Sequence, residues 1–136
     1  MTGGLASALA AFFDAELLPR HRDWARHVSA SREPVPFLAG LQARARAAGL
    51  WNLALPDRLS NAEFAPLAEI MGRLPWAPEV FNCQAPDVPN MIMLQHAATA
   101  EQKARWLEPL LAGQIDRKST RLNSSHVSES RMPSSA

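Results

Sequence analysis

The side chains that could perform metal chemistry are few and do not occur at useful spacings. His21 and His27 lie six positions apart, which does not place them on a shared helix face, and His96 is the only histidine in residues 60–115. Metal sites bring histidines and cysteines together at short spacings such as His-x-x-x-His or Cys-x-x-Cys, and neither pattern occurs. We therefore expect no metal site, and we interpret these histidines as surface or capping residues.

Nucleophilic chemistry has one candidate, Cys83, which is the single cysteine of the chain. A lone cysteine excludes an internal disulfide framework and is typical of a reducing compartment; without an identifiable base it is interpreted as a small core residue. Ser60 and Thr99 are each followed three positions later by Glu63 and Gln102, the capping-box pattern at a helix start. No glycine-rich phosphate loop occurs. The sequence therefore predicts no catalytic residue and no cofactor-binding residue.

A group of soft apolar side chains has two interpretations that the residues alone leave open. Met71, Met91, Met93 and Leu94 fall on neighbouring predicted helices. They could be ordinary core packing, or they could form the wall of a pocket for an apolar chain, a role that flexible methionines suit.

The elements that would position these residues are all predicted to be helical. Apolar residues recur at helical spacing, and no strand-like alternation of any length appears. We expect an all-α fold, an antiparallel cluster of about five or six helices. The predicted helices cover residues 5–28, 33–48, 60–72, 76–83, 87–97 and 99–113.

Prolines and glycines divide these helices. Pro19 predicts a kink near residues 15–19, and Pro34 and Pro36 are expected in the first turn of the second helix. Gly49 is expected to end that helix in the left-handed conformation, and residues 51–56 are expected to be extended because Pro56 restricts the residue before it.

Two further prolines leave the helix limits open or divide a helix. Pro66 conflicts with the Ser60 capping box, so the third helix either starts at Ala65 or bends there. In the last helix, Pro109 is expected to separate a final turn that Gly113 closes.

Composition excludes several functional classes. Residues 1–115 contain ten basic and eleven acidic side chains, so no basic surplus favours nucleic acid. No stretch approaches the roughly 20 apolar residues of a membrane span. The N-terminal apolar run has no basic residues before it, and Asp14 and Glu16 follow closely, so we expect no signal peptide and a cytoplasmic location in a bacterium.

The last 21 residues differ in character from the rest and are expected to be a non-native disordered tail. Residues 116–136 contain seven serines and show no helical or strand periodicity, which is typical of disorder. Residues 116–126 (DRKSTRLNSSH) match one reading frame of a common DNA sequencing adapter. A disordered Ser/Arg linker is the alternative. We expect a helical domain over residues 1–115 and exclude residues 116–136 from reasoning about the fold.

Several stretches, taken in order, resemble the N-terminal helical domain of acyl-CoA dehydrogenases. Within them, residues 49–53 (GLWNL) and 78–83 (PEVFNC) are similar to the subgroup that includes the animal ten/eleven-type enzymes. The matching stretches are residues 45–53 (ARAAGLWNL), 67–73 (LAEIMGR), 77–83 (APEVFNC), 85–87 (APD) and 99–113 (TAEQKARWLEPLLAG).

This resemblance implies a fragment of an FAD-dependent oxidoreductase that dehydrogenates acyl-CoA thioesters between the α and β carbons. It implies an electron-transfer acceptor and a homo-oligomer for the complete enzyme. In the family a glutamate removes the α proton and the β hydride passes to the flavin, but the catalytic and main flavin-binding segments are not among these residues, so the fragment is expected to be inactive alone and to hold no FAD. It would help to cover the acyl pocket, with Asn90, Met91 and Leu94 as lining residues. The alternative is a free-standing helical protein-interaction module.

Overall fold

The computed structural model describes residues 2–115, and every regular element within that range is helical. The all-α prediction is therefore confirmed. The predicted tail, residues 116–136, lies outside the described residues. The chain divides into two compact units, one ending at Gln84 and the next beginning at Ala85, and each is described separately.

The first unit contains five α-helices, two of which belong to one long helical stretch. That stretch joins α1 to α2 through a π-helical turn, Phe13–Leu17, and a 3-10 turn, Leu18–Arg20. Within the unit, α1 packs against α4, and α3 packs against α5. The helices are α1 (Thr2–Phe12), α2 (His21–Ala30), α3 (Leu38–Ala47), α4 (Asn61–Met71) and α5 (Ala77–Val80).

The second unit contains three α-helices over residues 85–115. A π-helical turn, Lys103–Leu107, connects the second of them to the third. The helices are α6 (Asp87–Ala97), α7 (Ala100–Gln102) and α8 (Glu108–Leu111).

Each π-helical turn is followed, after one intervening residue, by a proline, Pro19 or Pro109. The N–H of Leu18 bonds to the carbonyl of Phe13, and in the second unit the N–H of Glu108 bonds to the carbonyl of Lys103. Proline has no N–H and its ring clashes with the carbonyl four residues earlier; the wider turn moves that carbonyl aside. The disturbance expected near Pro19 is therefore present as a change of helix type within a continuous helical stretch.

The start of α3 differs from the sequence prediction, whereas its end agrees. The helix begins at Leu38, so Pro34 and Pro36 precede it and do not occupy its first turn. Proline disfavours the helical conformation in the residue before it, which keeps Val35 out of the helix. At the other end Gly49 has φ +74° and the N–H of Leu50 bonds to the carbonyl of Ala45 over 2.9 Å; this is the Schellman arrangement.

The expectation that residues 51–56 are extended is wrong, because these residues form successive turns. Asn52 adopts φ +57° and Asn82 adopts φ +53°, a conformation that asparagine tolerates better than most residues. Nδ2 of Asn82 donates to Oδ1 of Asn52 over 2.6 Å, and the N–H of Asn52 donates to the carbonyl of Phe81 over 3.1 Å. These contacts hold the turn compactly, with Leu53 and Leu55 buried.

The capping box at Ser60 decides the limits of α4. The hydroxyl of Ser60 accepts from the N–H of Glu63 over 3.3 Å, and the Glu63 carboxylate accepts from the N–H of Ser60 over 2.9 Å. The helix accordingly starts at Asn61 and includes Pro66. The hydrogen bond from the Ser60 side chain, followed by that from its backbone, lowers the pKa of Glu63 below 4.5.

The core of the first unit is formed by apolar side chains from α1, α3, α4 and α5 and from the turns between helices, and Trp24 of α2 packs against it while partly buried. Two apolar residues that share the helical spacing lie outside this core: Val28 is 44 % exposed, and Ala68 is exposed. The cluster includes Leu9, Phe13, Leu17, Leu41, Ala45, Leu50, Leu53, Leu67, Met71, Leu74, Trp76, Val80 and Phe81.

Candidate functional site

The helix that carries the three predicted pocket residues forms over the range that the sequence predicts, Asp87–Ala97. Asp87 lies in its first turn, where a negative charge is stabilised by the helix dipole, and it is 2 % exposed. Pro89 occupies the third helical position, where no intrahelical N–H bond is lost. The first bond of the helix joins the N–H of Asn90 to the carbonyl of Pro86 over 3.1 Å.

The three predicted lining residues have different environments on this helix. Met91 is completely buried, whereas Asn90 and Leu94 are half-buried. Asn90 and Leu94 are four positions apart and therefore share one face of the helix. A surface that could contact a ligand is thus formed by Asn90 and Leu94, while Met91 is withdrawn from solvent.

The methionines that the sequence grouped together occupy separate environments. Met71 belongs to the core of the first unit, Met91 is buried in the second unit, and Met93 is 59 % exposed. Within the second unit, α6 contacts the π-helical turn and α8, whose buried side chains are Leu107 and Leu110. Core packing therefore accounts for Met71 and Met91.

The elements facing α6 are set by a second capping box. The hydroxyl of Thr99 accepts from the N–H of Gln102 over 3.2 Å, and the Gln102 side chain accepts from the N–H of Thr99 over 2.9 Å. This capping box starts α7 at Ala100, so two residues separate it from the end of α6 at Ala97. The following π-helical turn presents Trp106, 40 % exposed, with the Arg105 guanidinium 5.0 Å from the ring centroid.

The histidines differ in their contacts. Nε2 of His27 lies 2.9 Å from the carbonyl of Glu33, and His96 is exposed; both agree with the interpretation as surface or capping residues. Nδ1 of His21 instead lies 3.1 Å from Nε1 of the buried Trp76. No sequence pattern predicts this pair, because the two residues are far apart along the chain and neither belongs to a motif.

Cys83 is poorly suited to nucleophilic catalysis. Burial raises the pKa of its thiol from 9.0 to about 11, against the lowering effect of backbone hydrogen bonds from Ala54 and Leu53. Its Sγ lies 3.3 Å from the carbonyl of Phe81. Since the thiolate is the reactive form, the thiol is inert near neutral pH, in agreement with its interpretation as a packing residue.

Two features of residues 2–115 concern metal binding and membrane spanning. No set of three or more histidine, cysteine, aspartate or glutamate side chains in that range is arranged to hold a metal ion. Over the same residues, no helix combines the length and the apolar character needed to cross a bilayer.

The fold and these side chains together define an all-helical domain, which is matched by one family model. Residues 4–114 match the model described as acyl-CoA dehydrogenase, N-terminal domain. A solved chain from Mycobacterium abscessus, described as an acyl-CoA dehydrogenase, superimposes with a TM-score of 0.77 and 47% sequence identity over 84% of this chain and 32% of that one.

Curated relatives give the same result. The chain is 43% identical over 123 residues to acyl-CoA dehydrogenase family member 10 of Mus musculus, which covers 82% of this chain and 12% of the mouse protein. It is 47% identical over 83 residues to a Mycobacterium tuberculosis protein described as acyl-CoA dehydrogenase FadE2, covering 59% of this chain and 20% of that protein. The chain belongs to the acyl-CoA dehydrogenase family and corresponds to its N-terminal domain. It spans about a third or less of the length of these relatives.

Proposed function

We propose that this chain is the N-terminal helical domain of an FAD-dependent acyl-CoA dehydrogenase and that it helps to cover the acyl pocket. The observation that carries the proposal is the family match over residues 4–114, supported by the 47% identical solved chain. The domain contributes binding surface rather than reacting groups, since its described side chains offer no nucleophile or general base in a productive arrangement.

The described residues do not fit the pyrophosphate of FAD. Gly3 and Gly4 lie within α1 rather than in a loop before a helix, where phosphates bind. Gly49 and Gly113 have positive φ and close helix C-termini, whose partial negative charge repels phosphate. We therefore assign FAD, and the residues that carry out the dehydrogenation, to other segments of the complete enzyme.

The pocket-covering role is proposed for α6. Asn90 and Leu94 share a half-buried face, and Met91, which follows Asn90 in the sequence, is completely buried. Partial exposure within a single domain is what a surface covering a neighbouring pocket requires, because a fully buried residue cannot reach a ligand. An acyl-CoA substrate, an electron-transfer acceptor, a homo-oligomeric assembly and a cytoplasmic location are part of the same proposal.

A flavin-binding experiment tests the division of roles. The purified 136-residue chain is incubated with FAD, passed through a desalting column and examined for visible flavin absorbance and for reduction of an acceptor dye with acyl-CoA substrates. We expect neither co-eluting flavin nor activity. Stoichiometric flavin on this chain would contradict the proposal.

Sequencing the source DNA through codon 116 and beyond tests whether the domain belongs to a complete enzyme. We expect coding sequence for further domains in place of residues 116–136. A genuine stop codon after Ala136 would instead support a free-standing interaction module and refute the proposal.

The pocket role is tested in the complete enzyme, once its coding sequence is recovered. Leu94→Phe adds bulk to the half-buried face of α6 and should reduce kcat/KM for long acyl chains more than for short ones. Met93→Phe, at a 59 % exposed position on the same helix, is the matched control. It should change kcat/KM for long and short acyl chains to the same extent. Equal behaviour of the two variants would exclude α6 from the pocket.

A further inference from the structure

A hydrogen bond from Trp76 fixes where His21 carries its proton. Nε1 of Trp76 lies 3.1 Å from Nδ1 of His21. An indole N–H can only donate, so Nδ1 must be the acceptor. The ring is therefore neutral in this arrangement, and its single proton is on Nε2.

These two rings belong to an aromatic cluster that joins three segments of the first unit. His21 stacks on Trp24 with ring centroids 5.8 Å apart, and Trp24 stacks on Trp76 at 6.1 Å. Phe37 meets Trp76 edge-on at 5.9 Å. His21 is the first residue of α2, whereas Phe37 and Trp76 immediately precede α3 and α5. The cluster thus ties the start of α2 to the starts of two other helices.

Protonation of His21 and the bond to Trp76 exclude each other. A second proton must be added at Nδ1, where it would face the indole N–H as donor against donor. Trp76 is 1 % exposed, so water cannot readily replace the lost acceptor, and a buried donor without an acceptor is costly. The imidazolium would gain some attraction to the face of Trp24, but this contact does not restore an acceptor for Trp76.

We propose that His21 is a proton-sensitive latch. It is closed when the imidazole is neutral, and protonation at Nδ1 opens it by releasing Trp76 and loosening the start of α2. His21 is half-buried, so protons from solvent can reach the ring while the indole remains enclosed.

The groups around the latch that carry charge at neutral pH are carboxylates and guanidinium groups. Three of them are held in ion pairs, Arg20 with Glu16, Asp23 with Arg26 and Arg73 with Asp14. Carboxylates titrate at lower pH than imidazole, and arginines do not titrate. The ionisable residues near the three segments are Arg20, Arg22, Asp23, Arg26 and His27 around α2, Arg32 and Glu33 before α3, and Arg73 and Glu79 on either side of Trp76.

The test is nuclear magnetic resonance of the 136-residue chain labelled with ¹⁵N. At pH 7.5 the imidazole nitrogen shifts of His21 should show an unprotonated Nδ1 and a protonated Nε2. Lowering the pH to 5 should shift the Trp76 indole resonance and, after correction for the intrinsic pH dependence of exchange, accelerate its exchange with water by on the order of tenfold or more, because the bond that protects it is lost.

Two variants separate the latch from general effects of acid. His21→Asn keeps an acceptor oxygen near the position of Nδ1 but cannot titrate, so its Trp76 exchange, corrected for the intrinsic pH dependence, should stay flat. His27→Gln removes the other histidine of the first unit and should leave the Trp76 response intact. A protonated Nδ1 in the neutral ring, or the same corrected exchange profile in the wild type and His21→Asn, would overturn the proposal.

Discussion

Burial raises the pKa of the Cys83 thiol from 9.0 to about 11, although backbone hydrogen bonds from Ala54 and Leu53 oppose the shift. The folded state therefore favours the protonated thiol more strongly than the unfolded state does. The stability that this preference contributes is fully present below pH 9 and is lost as the pH rises from 9 towards 11, because the unfolded chain ionises first.

We accordingly expect the free energy of unfolding of the wild type to fall more steeply between pH 9 and 11 than that of Cys83→Ala, by at most about 2 kcal/mol. The chain contains no tyrosine, so few other groups titrate in this range. Urea unfolding at several pH values measures the difference. Below pH 9 the variant should be less stable because a packed side chain is removed; parallel pH profiles would show that the thiol is not perturbed.

The buried and exposed methionines of α6 give a second prediction at the residue scale. Met91→Ala should cost about 2–5 kcal/mol of stability in the second unit, because a completely buried side chain leaves a cavity. Met93→Ala, at a 59 % exposed position, should change stability by less than about 0.5 kcal/mol. Hydrogen exchange of α6 in the two variants measures both values, and similar costs would contradict the different environments described for the two side chains.

At the scale of elements, prolines explain where the α-helices change to π-helical turns, and capping residues explain where the helices begin and end. The glycines of α3 allow a sharp comparison, since Gly49 has φ +74° whereas Gly40 lies within the helix with open space where a Cβ would be. Gly49→Ala should destabilise the domain by about 1–2 kcal/mol, because an L side chain is strained in the left-handed region.

Gly40→Ala should stabilise the domain by up to about 1 kcal/mol, because alanine is favoured over glycine in the helix interior. Thermal or urea unfolding of the two variants is the measurement, and the opposite signs are the expected result. Destabilisation by both substitutions to the same extent would mean that the Schellman arrangement is not what ends α3.

At the scale of the whole molecule, the two units differ in how much apolar surface they enclose. The second unit has about thirty described residues, and its buried apolar side chains are Met91, Leu107 and Leu110. The first unit buries a much larger cluster. Segments below about 40 residues seldom bury enough surface to be stable alone.

Native-state hydrogen exchange should therefore show lower protection in α6–α8 than in α1 and α4 at low denaturant concentration. Mass spectrometry of peptides from the two units measures this directly. Equal protection throughout would indicate that the described residues unfold as one cooperative unit, which would contradict the expectation. The family relationship fits lower protection, because this domain corresponds to only 32% of the solved relative and the remaining chain of such an enzyme can supply further contacts.

The sequence alone determined the helical class, the position of α6, both capping boxes and the two glycine ends. These features depend on hydrogen bonds and conformational preferences within a few residues, so the local sequence contains the necessary information. The family resemblance was also readable, because it depends on residue identity and order.

Contacts between residues far apart along the chain decided the features that local sequence did not determine. The turn over residues 51–58 depends on Asn82, which lies 30 positions from Asn52, and the state of His21 depends on Trp76, 55 positions away. Burial likewise separates Met91 from Met93, although both are methionines on one helix. Such features arise when separate segments pack together and compete for the same buried space and hydrogen bonds, and the spacing of residues along one segment does not record that competition.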